Sequence, residues 1–232
     1  MMDKYKFLSK YTLSDSKAIP VKNSRKLGEI RVPEYWLAIL DEKDIEKKKN
    51  IVLNEWKKYV KVELRNTIQY LESFLKNIEL FRVEDDVYLL YTIESYQTNK
   101  TMYYAGGNPL TIHRDMNDNL KALWGNIPIA LRNFYEKLHD GFYYYPSQSM
   151  GLDKMLNIES MDDVELPLNI EPKINIQNTY NFLSTGSGSY VTLDITNDEN
   201  VKTMIWLKDF EPMLDLEFWD AIDEYYYIGF DE

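Results

Sequence analysis

One segment constrains the fold of this chain more than any other: residues 127–152, which read IPIALRNFYEKLHDGFYYYPSQSMGL. Pro128 suits the first turn of a helix, because the N–H that proline lacks would have no partner there. Asp140 and Gly141 end the helix, and aromatic residues typical of a strand follow at once. The segment therefore predicts a helix docked on a sheet rather than a catalytic loop. The apolar residues at helical spacing that predict its buried face are Leu131, Phe134, Tyr135 and Leu138.

The rest of the N-terminal half predicts mixed secondary structure. Residues 1–35 show no periodicity, and we expect them either to wrap the surface or to be partly mobile. From residue 44 to about residue 77, apolar residues recur every three or four positions, which predicts one long amphipathic helix. Alternating apolar residues over 87–93 and 102–105 predict a β-hairpin, and a short helix is expected over 115–123.

Beyond residue 152 the sequence predicts mainly strands. The glycine-rich residues 185–189 lack the lysine of a phosphate-binding loop and precede a strand, so we interpret them as a tight turn. The last helix is expected over about 214–227, with Leu216, Trp219, Ile222 and Tyr226 on its apolar side. The strands are expected at residues 156–160, 180–184, 189–195 and 202–207, with a turn at 197–200.

Residues 127–152, followed by FLSTGSGSYVTLD at 182–194, resemble the SUKH superfamily. This group contains a fungal regulator of cell-wall synthesis and many bacterial immunity proteins that neutralise polymorphic toxins. The resemblance implies an α+β fold in which one antiparallel β-sheet is backed by helices. It covers residues 120–232, and its points of contact are Ile127-Pro128, Phe134-Tyr135, Asp140-Gly141, Met150-Gly151-Leu152 and residues 188–194.

The resemblance also suggests a division of the chain. Residues 1–112 are expected to form an N-terminal extension, made of an irregular arm, a long helix and a β-hairpin, and residues 113–232 a SUKH-like domain. The break at residues 106–109 is too short for a flexible linker. We therefore expect the extension to pack on the core as one continuous body.

Acidity is concentrated in the C-terminal half. The whole chain has a net charge of −11, whereas residues 153–232 hold 18 Asp and Glu against four Lys and no Arg. Such a half repels nucleic acid and attracts a basic protein. The simpler interpretation is that an acidic surface only keeps the protein in solution.

No group of residues in the sequence predicts catalysis. The absence of cysteine excludes disulfides, zinc–thiolate sites and a cysteine nucleophile. His113 and His139 lack metal-ligand spacing; we expect His113 to be exposed and a charged His139 to cap the 128–138 helix. The C-terminal carboxylates match neither a calcium-binding nor a glycosidase pattern. We expect no enzyme, no catalytic residue, no metal ion and no cofactor.

No segment reaches the roughly 18 apolar residues of a membrane span, and the N-terminus lacks the apolar run of a signal peptide. We therefore expect a cytoplasmic protein without a membrane partner. A monomer or a weak homodimer is the expected assembly.

The resemblance and the charge together predict an immunity protein that blocks the active site of a cognate toxin with its acidic surface. A basic toxin is the expected partner, and a nuclease fits because nucleases must hold phosphates. No nucleic-acid partner is expected. The alternative is a non-enzymatic regulatory scaffold of the cell-wall-synthesis-regulator type. The residues predicted to bind the partner are Asp209, Glu211, Asp215, Glu217, Asp220, Asp223, Glu224, Tyr225 and Tyr227.

Overall fold

The structure is a computed structural model and describes residues 4–12, 16–162, 175–196, 201–208 and 210–231. Ten strands within these residues form one antiparallel sheet, and their order in the sheet is their order along the chain. Helices back this sheet, so the predicted α+β class is confirmed.

The sheet is a meander whose two edge strands are the first and the last. Its strands are β1 (Ile19–Pro20), β2 (Leu75–Val83), β3 (Asp86–Glu94), β4 (Thr101–Gly107), β5 (Asp140–Tyr144), β6 (Ser149–Leu152), β7 (Thr179–Ser184), β8 (Tyr190–Asp194), β9 (Lys202–Trp206) and β10 (Met213–Leu216). The α-helices of the described residues are α1 (Lys4–Leu8), α2 (Glu34–Asp41), α3 (Ile45–Val60), α4 (Arg65–Phe74), α5 (Ile112–Asp115), α6 (Asp118–Leu123), α7 (Ile129–Asn133) and α8 (Phe218–Asp231).

The single long helix predicted over residues 44–77 is wrong, because α3 and α4 are separate helices and β2 follows α4 directly. The apolar pattern runs through the break, and Leu64 between the helices is fully buried. The start of α4 is stabilised from outside, since Asp223 of α8 accepts hydrogen bonds from the backbone N–H groups of Asn66 and Thr67 at 3.0 and 2.8 Å. Periodicity along the sequence carries no information about such a distant contact.

The predicted β-hairpin is confirmed as β3 and β4. β2 pairs with β3, and the helical period predicted for residues 44–77 includes only the start of β2, where Leu75 and Ile78 fit it. β4 pairs with β5, Tyr104 lying opposite Tyr144. The sheet therefore continues without interruption across residue 112, where the sequence suggested a division.

The predicted transition from helix to strand over residues 127–152 is confirmed. α7 continues into a π-helical turn over Phe134–Leu138, and β5 begins two residues after it. Gly141 has a φ of 72°, and a Cβ atom there would lie 2.7 Å from the Asp153 carbonyl group. Only glycine fits this turn without strain. The residues predicted for the buried helix face, Leu131, Phe134, Tyr135 and Leu138, are all fully buried.

Three of the strands predicted beyond residue 152 are confirmed as β7, β8 and β9. The strand predicted at 156–160 is wrong, because a 3-10 turn over Met155–Asn157 takes its place. The turn at 185–189 joins β7 to β8 as predicted. The turn predicted at 197–200 lies outside the described residues.

The last helix starts at Phe218, later than predicted. The preceding residues form β10 instead, because Met213 and Leu214 pair with Ile205 and Met204 of β9. The short helix predicted over residues 115–123 is confirmed as α6, which begins three residues later, and α5 precedes it.

The main core lies between the sheet and helices α2, α3, α4, α7 and α8. The opposite face of the sheet is partly covered by the N-terminal arm, where Leu8 packs fully buried in a cluster with Phe81 and Leu90. The arm therefore wraps the sheet surface, one of the two outcomes expected from its sequence.

An aromatic group at the centre of the main core, here called the hub, comprises Trp56, Tyr91, Phe134, His139 and Phe142. All five side chains are fully buried. The Phe142 ring lies 5.0 Å from the Trp56 ring and 4.8 Å from the Tyr91 ring, both edge-on. Strands β3 and β5 are thereby fixed against α3.

Candidate functional site

The exposed side of α8 carries carboxylates at helical spacing. Phe218, Ile222, Tyr226 and Phe230 lie four residues apart and are buried against the sheet and α4. Glu217, just before the helix, Asp220 and Glu224 lie on the other side and are exposed; we call these three the acidic stripe. The helix contains no Lys or Arg. The stripe is therefore a negatively charged surface that faces the solvent.

β10 forms one edge of the sheet and comes immediately before α8 in the chain. It pairs with β9, and no other strand of the described residues pairs with it. Phe210, Met213 and Leu214 on and before this strand are 71, 48 and 40 % exposed; we call these three the apolar edge. Apolar side chains on an open edge strand are typical of a surface that docks another chain.

Most of the carboxylates predicted to bind a partner are on the surface. Glu211, Glu217, Asp220 and Glu224 are exposed. The backbone of Asp215 lies in β10, whereas Asp209 lies outside the described residues. The exposed carboxylates thus lie in the turns before and after β10 and on α8.

Asp223 was predicted to be part of this surface, and its placement corrects that expectation. Its side chain is buried and accepts hydrogen bonds from the Thr67 N–H at 2.8 Å, the Thr67 hydroxyl at 2.6 Å and the Asn66 N–H at 3.0 Å. These three hydrogen bonds stabilise the start of α4. Asp223 is therefore a capping residue and is not available to a partner.

The two predicted tyrosines lie in different depressions. Tyr225 is half-buried and lines a groove of about 600 Å³ whose other walls combine serine and threonine hydroxyls with apolar side chains. Tyr227 is 41 % exposed and lines a cleft of about 280 Å³ together with Tyr70, Phe74 and Tyr96. We call this second depression the aromatic cleft. It lies between α4 and α8, next to the acidic stripe.

Sequence reasoning missed the apolar edge and three walls of the cleft. Apolar spacing along the sequence places Leu214 in the last helix, so the sequence does not predict its exposure on an edge strand. Phe74 and Tyr96 come from the segment interpreted as one long helix and from the hairpin turn. One sequence feature could have predicted the apolar edge. Phe210 and Met213 lie close to Pro212, and proline favours an extended segment there.

His139 is structural, but it does not act as the charged helix cap that was expected. Its Nε2 lies 2.7 Å from the Tyr91 hydroxyl oxygen, which accepts a hydrogen bond from Trp56 Nε1 at 2.8 Å. The Tyr91 hydroxyl can therefore donate to a neutral His139. Burial lowers the pKa of His139 to about 3.

The other candidate sites show no arrangement for chemistry. His113 is exposed, as predicted. Within the described part of the chain, no three His, Asp or Glu side chains are grouped so that they could hold a metal ion. None of the described helices combines the length and the apolar character needed to cross a membrane.

Comparisons of this chain with protein-family models, with curated proteins and with solved structures return no match. The interpretation of the site therefore depends on its own geometry and charge.

Proposed function

We propose that this protein is an immunity protein of the SUKH type, which binds a basic toxin and covers its active site with β10 and α8. The observation that carries the proposal is that the exposed apolar edge leads directly along the chain into the exposed acidic stripe. Apolar side chains supply binding energy when they are covered, and the carboxylates select a partner of opposite charge.

The two parts of the surface have separate roles in this proposal. The acidic stripe attracts the partner over a distance and raises the association rate, an effect that salt weakens. The apolar edge packs against the partner after encounter, and the open side of β10 offers backbone groups with which a strand of the partner can pair. Carboxylates also imitate nucleic-acid phosphates, so a nuclease fits as the toxin. Such a toxin would be neutralised in the cytoplasm.

The test uses the catalytic domain of a toxin encoded beside this gene. We compare the wild type with a triple variant of the stripe, Glu217→Lys, Asp220→Lys and Glu224→Lys, by surface binding kinetics and by protection of toxin-expressing cells. Association is expected to slow by about tenfold or more at low salt, and the difference should shrink at high salt.

A matched control changes the same amount of charge elsewhere. Glu29, Asp41 and Asp85 are exposed carboxylates away from β10 and α8, and their triple replacement by Lys alters the net charge equally. An equal loss in both triple variants would mean that only overall charge matters. Failure of the wild type to bind or protect against the toxin would reject the immunity proposal in favour of a regulatory scaffold.

A further inference from the structure

The aromatic cleft has the geometry of a site for a cation. The ring of Tyr70 lies 5.7 Å from that of Tyr227 at 89° and 4.7 Å from that of Phe74. The Phe74 ring lies 5.5 Å from that of Tyr96, which is 66 % exposed. All four rings line the cleft, and an aromatic face that borders such a space can attract a cation.

A buried carboxylate lies behind these rings. Asp231 is 9 % exposed, and its Oδ1 accepts hydrogen bonds from the Tyr70 hydroxyl at 2.6 Å, the Ser95 hydroxyl at 3.1 Å and the Gln97 N–H at 3.3 Å. Burial raises the pKa of Asp231, but hydrogen bonds from Tyr70 and Gln97 outweigh it, and the net pKa lies below the usual value. The carboxylate is therefore ionised at neutral pH.

This negative charge is not balanced within the described part of the protein. Asp231 takes part in no ion pair there, and its Oδ2 is buried without a hydrogen-bond partner. Lys76, close to the cleft in sequence, is paired with Glu94 at 3.2 Å. By contrast, the partly buried Lys154 has its counter-ion Asp86 at 2.9 Å. A charge left unbalanced near a cleft favours a cation from outside.

The size of the cleft restricts the ligand to a single side chain. Its volume of about 280 Å³ is below the roughly 300–1,000 Å³ of most small-molecule sites. Asn66, Gln69 and Ser73 line its rim with groups that can accept hydrogen bonds. A planar guanidinium is weakly hydrated, stacks on aromatic faces and donates several hydrogen bonds, so arginine matches these walls better than lysine does.

We infer that the aromatic cleft binds one arginine side chain of the basic partner, an inference that depends on the proposed function for the identity of that partner. Tyr227 and Tyr96 hold the guanidinium between their rings, and Asp231 supplies the negative charge behind it. The cleft adjoins the acidic stripe, so a single partner can occupy both.

The first experiment needs no toxin. Protein with ¹³C-labelled tyrosine is titrated with N-acetyl-arginine amide and, separately, with N-acetyl-citrulline amide, a neutral side chain of nearly the same shape. The ring signals of Tyr227 and Tyr96 should shift with the arginine compound and much less with citrulline. Equal shifts with both compounds would overturn the inference.

Matched variants separate a cation–π contact from simple apolar contact. Tyr227→Phe keeps an aromatic face, whereas Tyr227→Leu keeps apolar volume and loses the face. We expect Tyr227→Leu to weaken binding of the arginine compound about fivefold and Tyr227→Phe to change it less than about twofold. Asp231→Asn should also weaken binding, since it removes the charge and keeps an acceptor for Tyr70. Wild-type affinity in Tyr227→Leu, in a variant shown to be folded by its melting temperature, would overturn the inference.

The same variants distinguish failure of this inference from failure of the proposed function. If stripe reversal impairs toxin binding and Tyr227→Leu does not, the immunity function stands and the arginine site is rejected. If the cleft binds the arginine compound and no toxin is neutralised, the site stands and the immunity function is rejected.

Discussion

The hub and the aromatic cleft contain similar side chains, but the hub is closed and the cleft is open. In the hub, the Trp56 N–H donates a hydrogen bond to the Tyr91 hydroxyl, which is hydrogen-bonded in turn to Nε2 of His139. Every ring of the hub is fully buried, and none of its side chains is ionised. The Trp56 N–H, the Tyr91 hydroxyl and His139 Nε2 bond to one another, and the whole group is closed to solvent, so the hub stabilises the fold and offers nothing to a ligand.

In the aromatic cleft, a tyrosine hydroxyl also bonds to a neighbour, but that neighbour is the ionised carboxylate of Asp231. Tyr96 and Tyr227 face solvent in part. The comparison shows that aromatic content alone does not indicate function. What distinguishes the two regions is whether charge and ring faces are already matched inside the protein.

The largest expected effect is the loss of folding stability at low pH, caused by His139 of the hub. Burial lowers the pKa of His139 from 6.5 to about 3, so the unfolded chain binds a proton below pH 6.5 and the native hub does not. The stability that neutral His139 supplies is complete above pH 6.5 and is lost as the pH falls towards 3, by up to about 5 kcal/mol. Denaturant unfolding at pH 7.5, 5.5 and 4.5 measures this loss. His139→Gln should remove most of that slope, and an unchanged slope would contradict the assignment.

Titration of Asp140 changes the stability in the opposite direction, so its contribution has to be measured separately from that of His139. Burial raises the pKa of Asp140 from 3.8 to about 6, so its contribution to stability is present below pH 3.8 and is lost as the pH rises to 6. Asp140→Asn removes that contribution. The loss of stability on acidification should therefore be steeper in Asp140→Asn than in the wild type.

The second prediction contrasts truncation in the two regions. Trp56→Ala leaves a cavity in the hub and an unpaired Tyr91 hydroxyl, and should lower the free energy of unfolding by about 4 kcal/mol. Tyr227→Ala in the cleft should lower it by less than about 1 kcal/mol, because that ring is partly exposed. Urea denaturation at neutral pH measures both. Similar losses would mean that the cleft is part of the core.

The third prediction concerns two aspartates of α8 three positions apart. Asp223→Ala removes the acceptor of two backbone N–H groups and a hydroxyl at the start of α4, and should cost about 2 kcal/mol of stability. Asp223→Asn should recover part of this loss. Asp220→Ala, on the exposed side of the same helix, serves as the control and should cost much less.

The smallest expected effect is on the acidic stripe. Replacing Glu217 and Glu224 with Gln and Asp220 with Asn should change the free energy of unfolding by no more than about 0.5 kcal/mol, since all three side chains are exposed. Thermal unfolding of the triple variant measures this. A large loss of stability would assign the stripe to the fold rather than to binding.

The local sequence pattern was sufficient to predict several parts of this fold. The hairpin of β3 and β4 follows from alternation, and the buried face of residues 131–138 follows from helical spacing. The turn at 185–189 follows from its glycines and the strand after it. In each case, neighbours in sequence determine the structure.

The parts that could not be predicted depend on distant contacts. The break before α4 is stabilised by Asp223, 156 positions away from Thr67, and the same contact removes Asp223 from the candidate surface. The aromatic cleft joins Tyr70 and Tyr227, which belong to different helices. The exposed carboxylates Glu217, Asp220 and Glu224 could be found from sequence, because helical spacing separates them from the apolar side.

The strict meander order of the sheet has a consequence for synthesis. Each strand pairs with the one made just before it, so the sheet can grow in step with translation, from β1 towards β10. α8 is made after all ten strands and then bonds back to Thr67 and Tyr70 of α4. A ribosome-bound chain can therefore form most of its sheet before the acidic stripe and the aromatic cleft exist.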